Sequence, residues 1–228
     1  MDQFSEYKDF YKPDFDPQKN PVPRPQPIDF VVSFFNGKRN GFFIDIGAFD
    51  GVTWSNSLSL EKYLDWEGFG VEPSSTAADT WEKHRTSRVF RNCAWNEDGH
   101  VEFQLVTGYA EMLSGVTSAN GFNDTHKQRI LDEIKKHGGT SELIRMPSRT
   151  VSSMLEEIGT SEVDYMSIDA EGAELEILRG FDFEKNSCRL ISIEQNGYDD
   201  GSAANYLSSL GYRNLGRICN DIFFAFGA

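Results

Sequence analysis

The sequence predicts an α/β fold: an open, largely parallel sheet covered by helices on both faces and closed at one edge by an antiparallel hairpin. Three observations carry this prediction. From Phe42 to Leu210, short apolar runs alternate five times with segments of helical periodicity, the pattern that builds βαβ units. The first apolar run lies in Gly41 to Gly51, GFFIDIGAFDG, and breaks after Asp45 into a turn carrying Gly47 and Gly51. That is a buried strand opening a cofactor loop, with glycines that let backbone approach a ligand. The last two apolar runs, Tyr212 to Ile218 and Asp221 to Phe226, are joined through Cys219-Asn220. A connection this short suits only an antiparallel pair.

Composition narrows the classes. A chain of 228 residues with 39% hydrophobic content buries one sizeable core and reads most simply as a single domain. Its 36 acids against 22 bases leave a formal net charge of -14, which repels a phosphate backbone and argues against a nucleic-acid partner. No apolar run approaches the roughly 18 residues of a membrane helix, and the N-terminus lacks a signal-peptide core. The expectation is a soluble, cytoplasmic protein. Cys93, Cys188 and Cys219 are too few and too scattered for a disulfide framework or a zinc site.

Taken in order, residues 1–27 hold six of the eight prolines, interleaved with aromatics. Proline at this density forbids helix and sheet interior alike, so the segment is an extended arm. Two readings stand for it: a disordered leader, or an arm that docks on the domain or on a second copy to form a homodimer. Residues 28–228 are the domain. Ile28 to Phe35 is a short helix, Phe42 to Ile46 the first core strand, and Thr53 to Leu64 a helix with Leu58, Leu60 and Leu64 among its apolar positions. A second strand at Phe69 to Glu72 precedes a helix from Ser74 to His84, capped by Ser74 or Ser75 and turning Trp81 inward. A third strand spans Arg88 to Trp95, and alternation over Val101 to Val106 makes that run its hairpin partner. Residues 107–147 are less regular. They contain a charged helix near Asn123 to His137 with Ile130, Leu131 and Ile134 on one face, and read as an acceptor-binding or lid insertion. Then come a helix at Val151 to Ile158, a strand at Val163 to Ile168, a helix at Ala173 to Arg179, a strand at Arg189 to Gln195, and a helix at Ser202 to Leu210 ahead of the hairpin.

In open sheets of this type ligands sit beyond the carboxyl ends of the strands, and that is where acids collect. The first loop reads D-x-G-x-x-x-G, from Asp45 through Gly47 and Ala48 to Gly51. A pyrophosphate turn wants bare amides and a positive helix end, whereas a carboxylate there favours a ligand with positive charge. S-adenosylmethionine, with its sulfonium and ammonium, fits. Glu72, followed by Pro73, ends the second strand 21 residues after Gly51, where an acid takes both hydroxyls of a ribose; the plainer reading is a cap for the helix at Ser74. Asn92, Cys93 and Ala94 should flank the adenine. In SIDAEGAE, Asp169 leaves an apolar strand and is the favoured functional acid, with Glu171 behind it. The plainer reading makes Asp169 or Glu171 a helix cap, and Glu174 suits a structural role. Glu194 and Asn196 end the next strand, so Asp169, Glu194 and Asn196 form a candidate oxygen site for a divalent metal, a less favoured reading because no histidine stands nearby.

These segments resemble the FkbM family of S-adenosylmethionine-dependent methyltransferases. The resemblance rests on GFFIDIGAFDGVTWSNSLSLEK, GVEP, RNCAWNEDG, DYMSIDAEGAELEILRG, the late Gly211-Tyr212 and the closing NDIFFAF, and runs from Gly37 to Phe226. It implies the class I methyltransferase fold, a Rossmann-like seven-stranded sheet of order 3-2-1-4-5-7-6, and methyl transfer to the oxygen of a sugar, glycan or related small molecule. The proline-rich arm and residues 107–147 depart from what the resemblance covers, so the acceptor does not carry over. Asp169 is the first candidate base for an acceptor hydroxyl. His126, in the middle segment, is the alternative, against a plainer reading as a solvated helix residue. Tyr109, Met112 and Ser114 of GYAEMLSG, with Asn196, should border the acceptor. Two other classes stay open: a nucleotide-dependent oxidoreductase, which Asp45 disfavours, and a cofactor-binding module without turnover.

Overall fold

A computed structural model of the chain describes residues 26–195 and 200–227. The proline-rich arm, whether leader or docking arm, therefore lies outside the described residues, apart from Gln26 and Pro27, the N-cap and first residue of a helix. The elements in order are α1 (Pro27–Phe34), β1 (Phe42–Ile46), α2 (Leu58–Leu64), β2 (Glu67–Val71), α3 (Ser75–His84), β3 (Arg88–Phe90), β4 (Cys93–Ala94) and β5 (Gly99–Val106). A 3₁₀ turn (Gly108–Leu113) follows, then β6 (Gly115–Val116), α4 (Asp124–His137), β7 (Ser141–Arg149), α5 (Val151–Ile158), β8 (Glu162–Ile168), α6 (Glu174–Arg179), β9 (Ser187–Glu194), α7 (Ser202–Ser209), β10 (Arg213–Ile218) and β11 (Asp221–Ala225).

The main sheet has seven strands in the order β10-β11-β9-β8-β1-β2-β3. Numbered within that sheet alone and read from the β3 edge, this is 3-2-1-4-5-7-6. Strands β1, β2, β3, β8 and β9 run parallel, and β11 inserts antiparallel between β9 and β10. Both faces are buried, as parallel sheets require. Along each strand successive side chains go to opposite cores. Phe43, Tyr165, Leu190 and Phe223 join α1, α2 and α3 on one face; Ile44, Met166, Ile191 and Phe224 join α5, α6 and α7 on the other.

A second sheet, β4-β7-β5-β6, extends the latter core, and here three expectations are corrected. The predicted third strand divides after Phe90: β3 stays in the main sheet, while β4 leaves it and pairs parallel with β7. The run at 101–106 is not a hairpin partner of that strand. Its neighbour is β7, antiparallel over eight residue pairs from Gly99↔Ser148 to Val106↔Ser141, with β6 on its other side. The middle segment is thus not one irregular loop, because its last part is the central strand β7. That strand gave no signal because it lies mostly exposed and carries Pro147, which argues against a central strand. The proline is tolerated because β4 reaches only Ser148 and Arg149, leaving an open edge beside Pro147.

Two helix readings also change. Helix α2 starts at Leu58, not Thr53, because side chains hold residues 50–57 in turns. The Asp50 carboxylate accepts from the Val52 and Thr53 amides and the Thr53 hydroxyl, and Ser55 Oγ accepts from the Ser57 and Leu58 amides. On α4, Ile130 is buried while Leu131 faces solvent, as their 100° separation around a helix demands. Cys93 and Cys188 are buried and Cys219 is exposed. No helix among the described residues is long and apolar enough to cross a membrane.

The pairing of β7 is testable by hydrogen exchange. Amides of residues 141–149 that bond to β5 should exchange at least tenfold more slowly than that of Gly139; equal rates at Gly139 and at those amides would contradict the strand.

Candidate active site

The site forms where β1, β2, β8 and β9 end. Gly47 follows β1 with φ +75°, and a Cβ there would lie 1.6 Å from the Asp169 carbonyl. Only glycine permits that approach, and it brings the loops after β1 and β8 together. Beside it is a cavity of about 300 Å³ lined by Asp45, Gly47, Ala48, Glu72, Pro73 and Asp169, among others.

Asp45 is buried at the end of β1. Its Oδ2 accepts from the Ser57 hydroxyl at 2.5 Å and from the Ser55 hydroxyl at 3.4 Å, and burial raises its pKa against these bonds and the nearby Arg85 charge. Arg85 organises the loop from behind. Its guanidinium bonds to Glu61 (2.7 Å), the Gly51 carbonyl (3.0 Å), Ser55 Oγ (3.3 Å) and Ser57 Oγ (3.0 Å), and lies 4.1 Å over the Trp81 ring. Gly51 does not line the cavity. A Cβ there would meet Trp81 at 2.6 Å, so this glycine serves the Arg85 packing and not a ligand.

Glu72 is held by two backbone donors. The Phe49 amide donates to Oε2 at 2.9 Å and the Ser74 amide to Oε1 at 2.7 Å. Ser74 itself caps α3, so the carboxylate is not the helix cap, and each oxygen keeps a lone pair toward the cavity. Burial pushes its pKa up to about 7 against those two amides, with Glu111 and Asp45 adding to the rise. Cys93 and Ala94 line the cavity beyond it. Asn92 does not: it is turned into the core, donating to the Cys93 carbonyl at 2.9 Å.

On the other side stand Asp169, Glu171 and Glu194, each offering an oxygen within 4.8 Å of the others'. The Asp169 pKa is raised well above the carboxylate range by desolvation first, then by the Glu194 and Glu171 charges. Its carboxyl is reached by solvent through the cavity, so the like charges are the cause that persists when water fills the space. These are hard oxygens of the kind a divalent cation takes, with Glu171 where the sequence suggested Asn196. Asn196, expected as a metal or acceptor residue, lies outside the described residues. Glu171 sits in a left-handed turn at φ +50°. Neither it nor Asp169 caps α6, whose N-cap position is Ala173; Glu174, the first residue of the helix, accepts from the Ala170 and Gly172 amides of the preceding turn at 3.2 and 3.1 Å.

His126 is not a solvated helix residue. It is fully buried, with Nε2 2.9 Å from the Leu113 carbonyl and Nδ1 3.5 Å from Glu171 Oε2, against the Phe122 ring. Because a carbonyl only accepts, Nε2 carries the proton, and burial lowers the ring's pKa. It packs beneath Glu171, in the interior, and does not reach over the acceptor. Of the middle-segment residues, Met112 and Ser114 line the cavity, whereas Tyr109 stacks on His137 at 4.1 Å outside it. Sequence reasoning missed Trp54, Asn56, Glu111, Arg129 and Asn220, all lining. Trp54, Asn56 and Asn220 were within reach, since they occupy turns at the ligand end of the sheet; Glu111 and Arg129 depend on how the second sheet folds back.

Two predictions follow from this geometry. Arg85→Ala leaves Glu61 without its buried partner and should destabilise the protein by about 3–5 kcal/mol in urea denaturation. The second concerns pH. Glu72 and Glu174 are each pushed up to about 7 by burial, and Asp221 to about 7 by burial and then Glu194. An acid with a raised folded-state pKa binds its proton more tightly when folded. Its stabilisation is complete below the ordinary carboxylate pKa and is lost as pH rises through about 7. The ligand-free protein should therefore melt at higher temperature at pH 5 than at pH 8. Glu72→Gln should remove up to about 3 kcal/mol of that pH dependence.

The family profile described as the methyltransferase FkbM domain matches residues 45–214. Comparison with curated proteins gives no match. Among solved structures, the chain is similar to methyltransferase FkbM from Methylobacillus flagellatus KT, at 15% identity and TM-score 0.50, covering 92% of this chain and 50% of that one. It spans half the length of that protein, and the likeness concerns the fold alone. A further match is precorrin-6y C5,15-methyltransferase from Geobacter metallireducens GS-15, at 13% identity and TM-score 0.39, covering 86% and 85% of the two chains.

Proposed function

This chain belongs to the FkbM methyltransferase family, and we propose that it moves a methyl group from S-adenosylmethionine to a hydroxyl of a sugar, glycan or related small molecule. The cofactor supplies a methyl carbon made electrophilic by its sulfonium. The observation that carries the reading is the ring of carboxylates around one cavity at the strand ends, with Asp45, Glu72 and Asp169 from three adjacent strands. The chemistry of this set fits the cofactor. Glu72, fixed by two amides, has acceptor capacity left for a ribose diol, and Asp45 and Asp169 offer negative charge to a sulfonium and an ammonium. The same charge disfavours a pyrophosphate, which speaks against the oxidoreductase reading.

In this reading the chain's own residues do three things. The Asp45 loop and Glu72 bind and orient the cofactor, with Cys93 and Ala94 against the adenine. Met112 and Ser114 border the acceptor. Asp169 accepts the hydroxyl proton. Alignment is the larger contribution, about 7–11 kcal/mol, against roughly 3–5 kcal/mol for the base.

A tritiated-methyl transfer assay against glycans and glycosides tests the reaction. Asp169→Asn should lower kcat by about 10²–10⁴-fold, while Glu72→Gln should weaken cofactor binding in calorimetry by about tenfold or more. Cofactor affinity unchanged in Glu72→Gln would overturn the assignment of Glu72.

A further inference from the structure

Five large hydrophobic side chains are exposed among the described residues: Trp54, Tyr109, Leu131, Leu143 and Phe226. Of these, Trp54 alone lines the cavity. It is 54% exposed, and its backbone is left-handed at φ +51°, a conformation that costs a non-glycine residue on the order of 1–3 kcal/mol. The loop that carries it is nonetheless pinned on both sides. Asp50 holds Val52 and Thr53, and Arg85 holds the Gly51 carbonyl and Ser55. A rigid turn that keeps an indole at the mouth of a site, at a cost in both strain and hydration, is a built surface for a ligand.

The ligand's chemistry follows from what surrounds the ring. Asn56, Asn220, Ser114 and Asp169 line the same cavity, so one apolar plate is accompanied by side chains that accept and donate hydrogen bonds. A pyranose has this duality, an apolar C–H face and a rim of hydroxyls. Charge sets the class further. Among the described residues the lining carries Asp45, Glu72, Glu111, Asp169, Glu171 and Glu194 against one cation, Arg129, which repels a uronate or a sugar phosphate.

We propose that Trp54 is the stacking platform for the acceptor and selects a neutral or amine-bearing pyranose over an anionic one. The proposal rests on the sugar-methyltransferase reading and names the residue that recognises the sugar. In it the pyranose lies with its C–H face on the indole, and its hydroxyl rim meets the polar side chains of the cavity.

The other tryptophans, Trp66, Trp81 and Trp95, are buried, so acrylamide quenching of the full chain reports Trp54. With S-adenosylhomocysteine bound, methyl glycosides of mannose, galactose, glucose, rhamnose and glucosamine form the panel, with methyl glucuronide as the anionic arm. At least one neutral or amino glycoside should protect the quenchable fraction, and the glucuronide should not. For a protecting glycoside, Trp54→Ala should raise the acceptor KM by about tenfold with little change in kcat or in S-adenosylmethionine affinity by calorimetry. Trp54→Asn, which tolerates the left-handed turn, controls for folding and should show the same KM effect. Failure of every neutral and amino glycoside to protect Trp54, protection by the glucuronide alone, or an unchanged KM in both variants would overturn the proposal. Absence of cofactor binding by the wild-type protein would instead overturn the methyltransferase reading.

Discussion

The guanidinium of Arg85 is the charge on which the front of this molecule depends. It is buried behind the first loop, where an isolated cation would be prohibitively expensive, and it is compensated from several sides. Glu61 of α2 supplies the counter-charge, the Gly51 carbonyl and two serine hydroxyls take the remaining donors, and Trp81 of α3 offers its face. Three segments are thereby tied to one group. Through Ser57, which accepts from Arg85 and donates to Asp45, the tie reaches the cavity. The acid at the end of β1 is oriented by a cation it does not touch directly. The glycine at position 51 is a consequence of the same packing.

The opposite wall of the site is governed by repulsion. Asp169, Glu171 and Glu194 place oxygens within 4.8 Å of one another, close enough for the Glu194 and Glu171 charges to add to burial in raising the Asp169 pKa. Such a cluster is a binding surface for positive charge. Its geometry is held by elements beneath it. Glu174 satisfies the amides of the turn, His126 backs Glu171, and the Gly121 amide donates to the Gly172 carbonyl at 3.2 Å. These last two contacts come from the middle segment, so that segment is part of the wall's support as well as its cover.

How far the molecule was legible depended on the range of the interaction involved. The main sheet was readable because a strand buried on both faces, such as Phe42 to Ile46, is an apolar run whatever packs on it. Asp45, Glu72 and Asp169 were readable because each ends such a run, and strand ends in this topology face one place. Strand β7 was not readable. Its nine residues, SELIRMPSR, are polar or half-exposed, and their extended form is imposed by β5. His126 was misread for a related reason: in the chain it stands beside Asp124 and Lys127, and only the second sheet folding against α4 makes that helix face an interior. Asn92 and Gly51 were placed in the site by adjacency along the chain, yet a rotation of one residue turns a side chain from cavity to core.

By itself, the sequence determined the α/β class, the order of the main elements, the acid-ended strands and the family to which the chain belongs. All of these are written in local periodicity or in contiguous motifs. The tertiary structure decided which acids stand together, which contact each glycine of the first loop permits, and where Arg85, Trp54 and the middle segment stand. Those depend on contacts between residues tens of positions apart, such as Arg85 with Ser55 or Gly47 with Asp169. Local propensity contains no term for such contacts; they arise when the sheet brings its strand ends together.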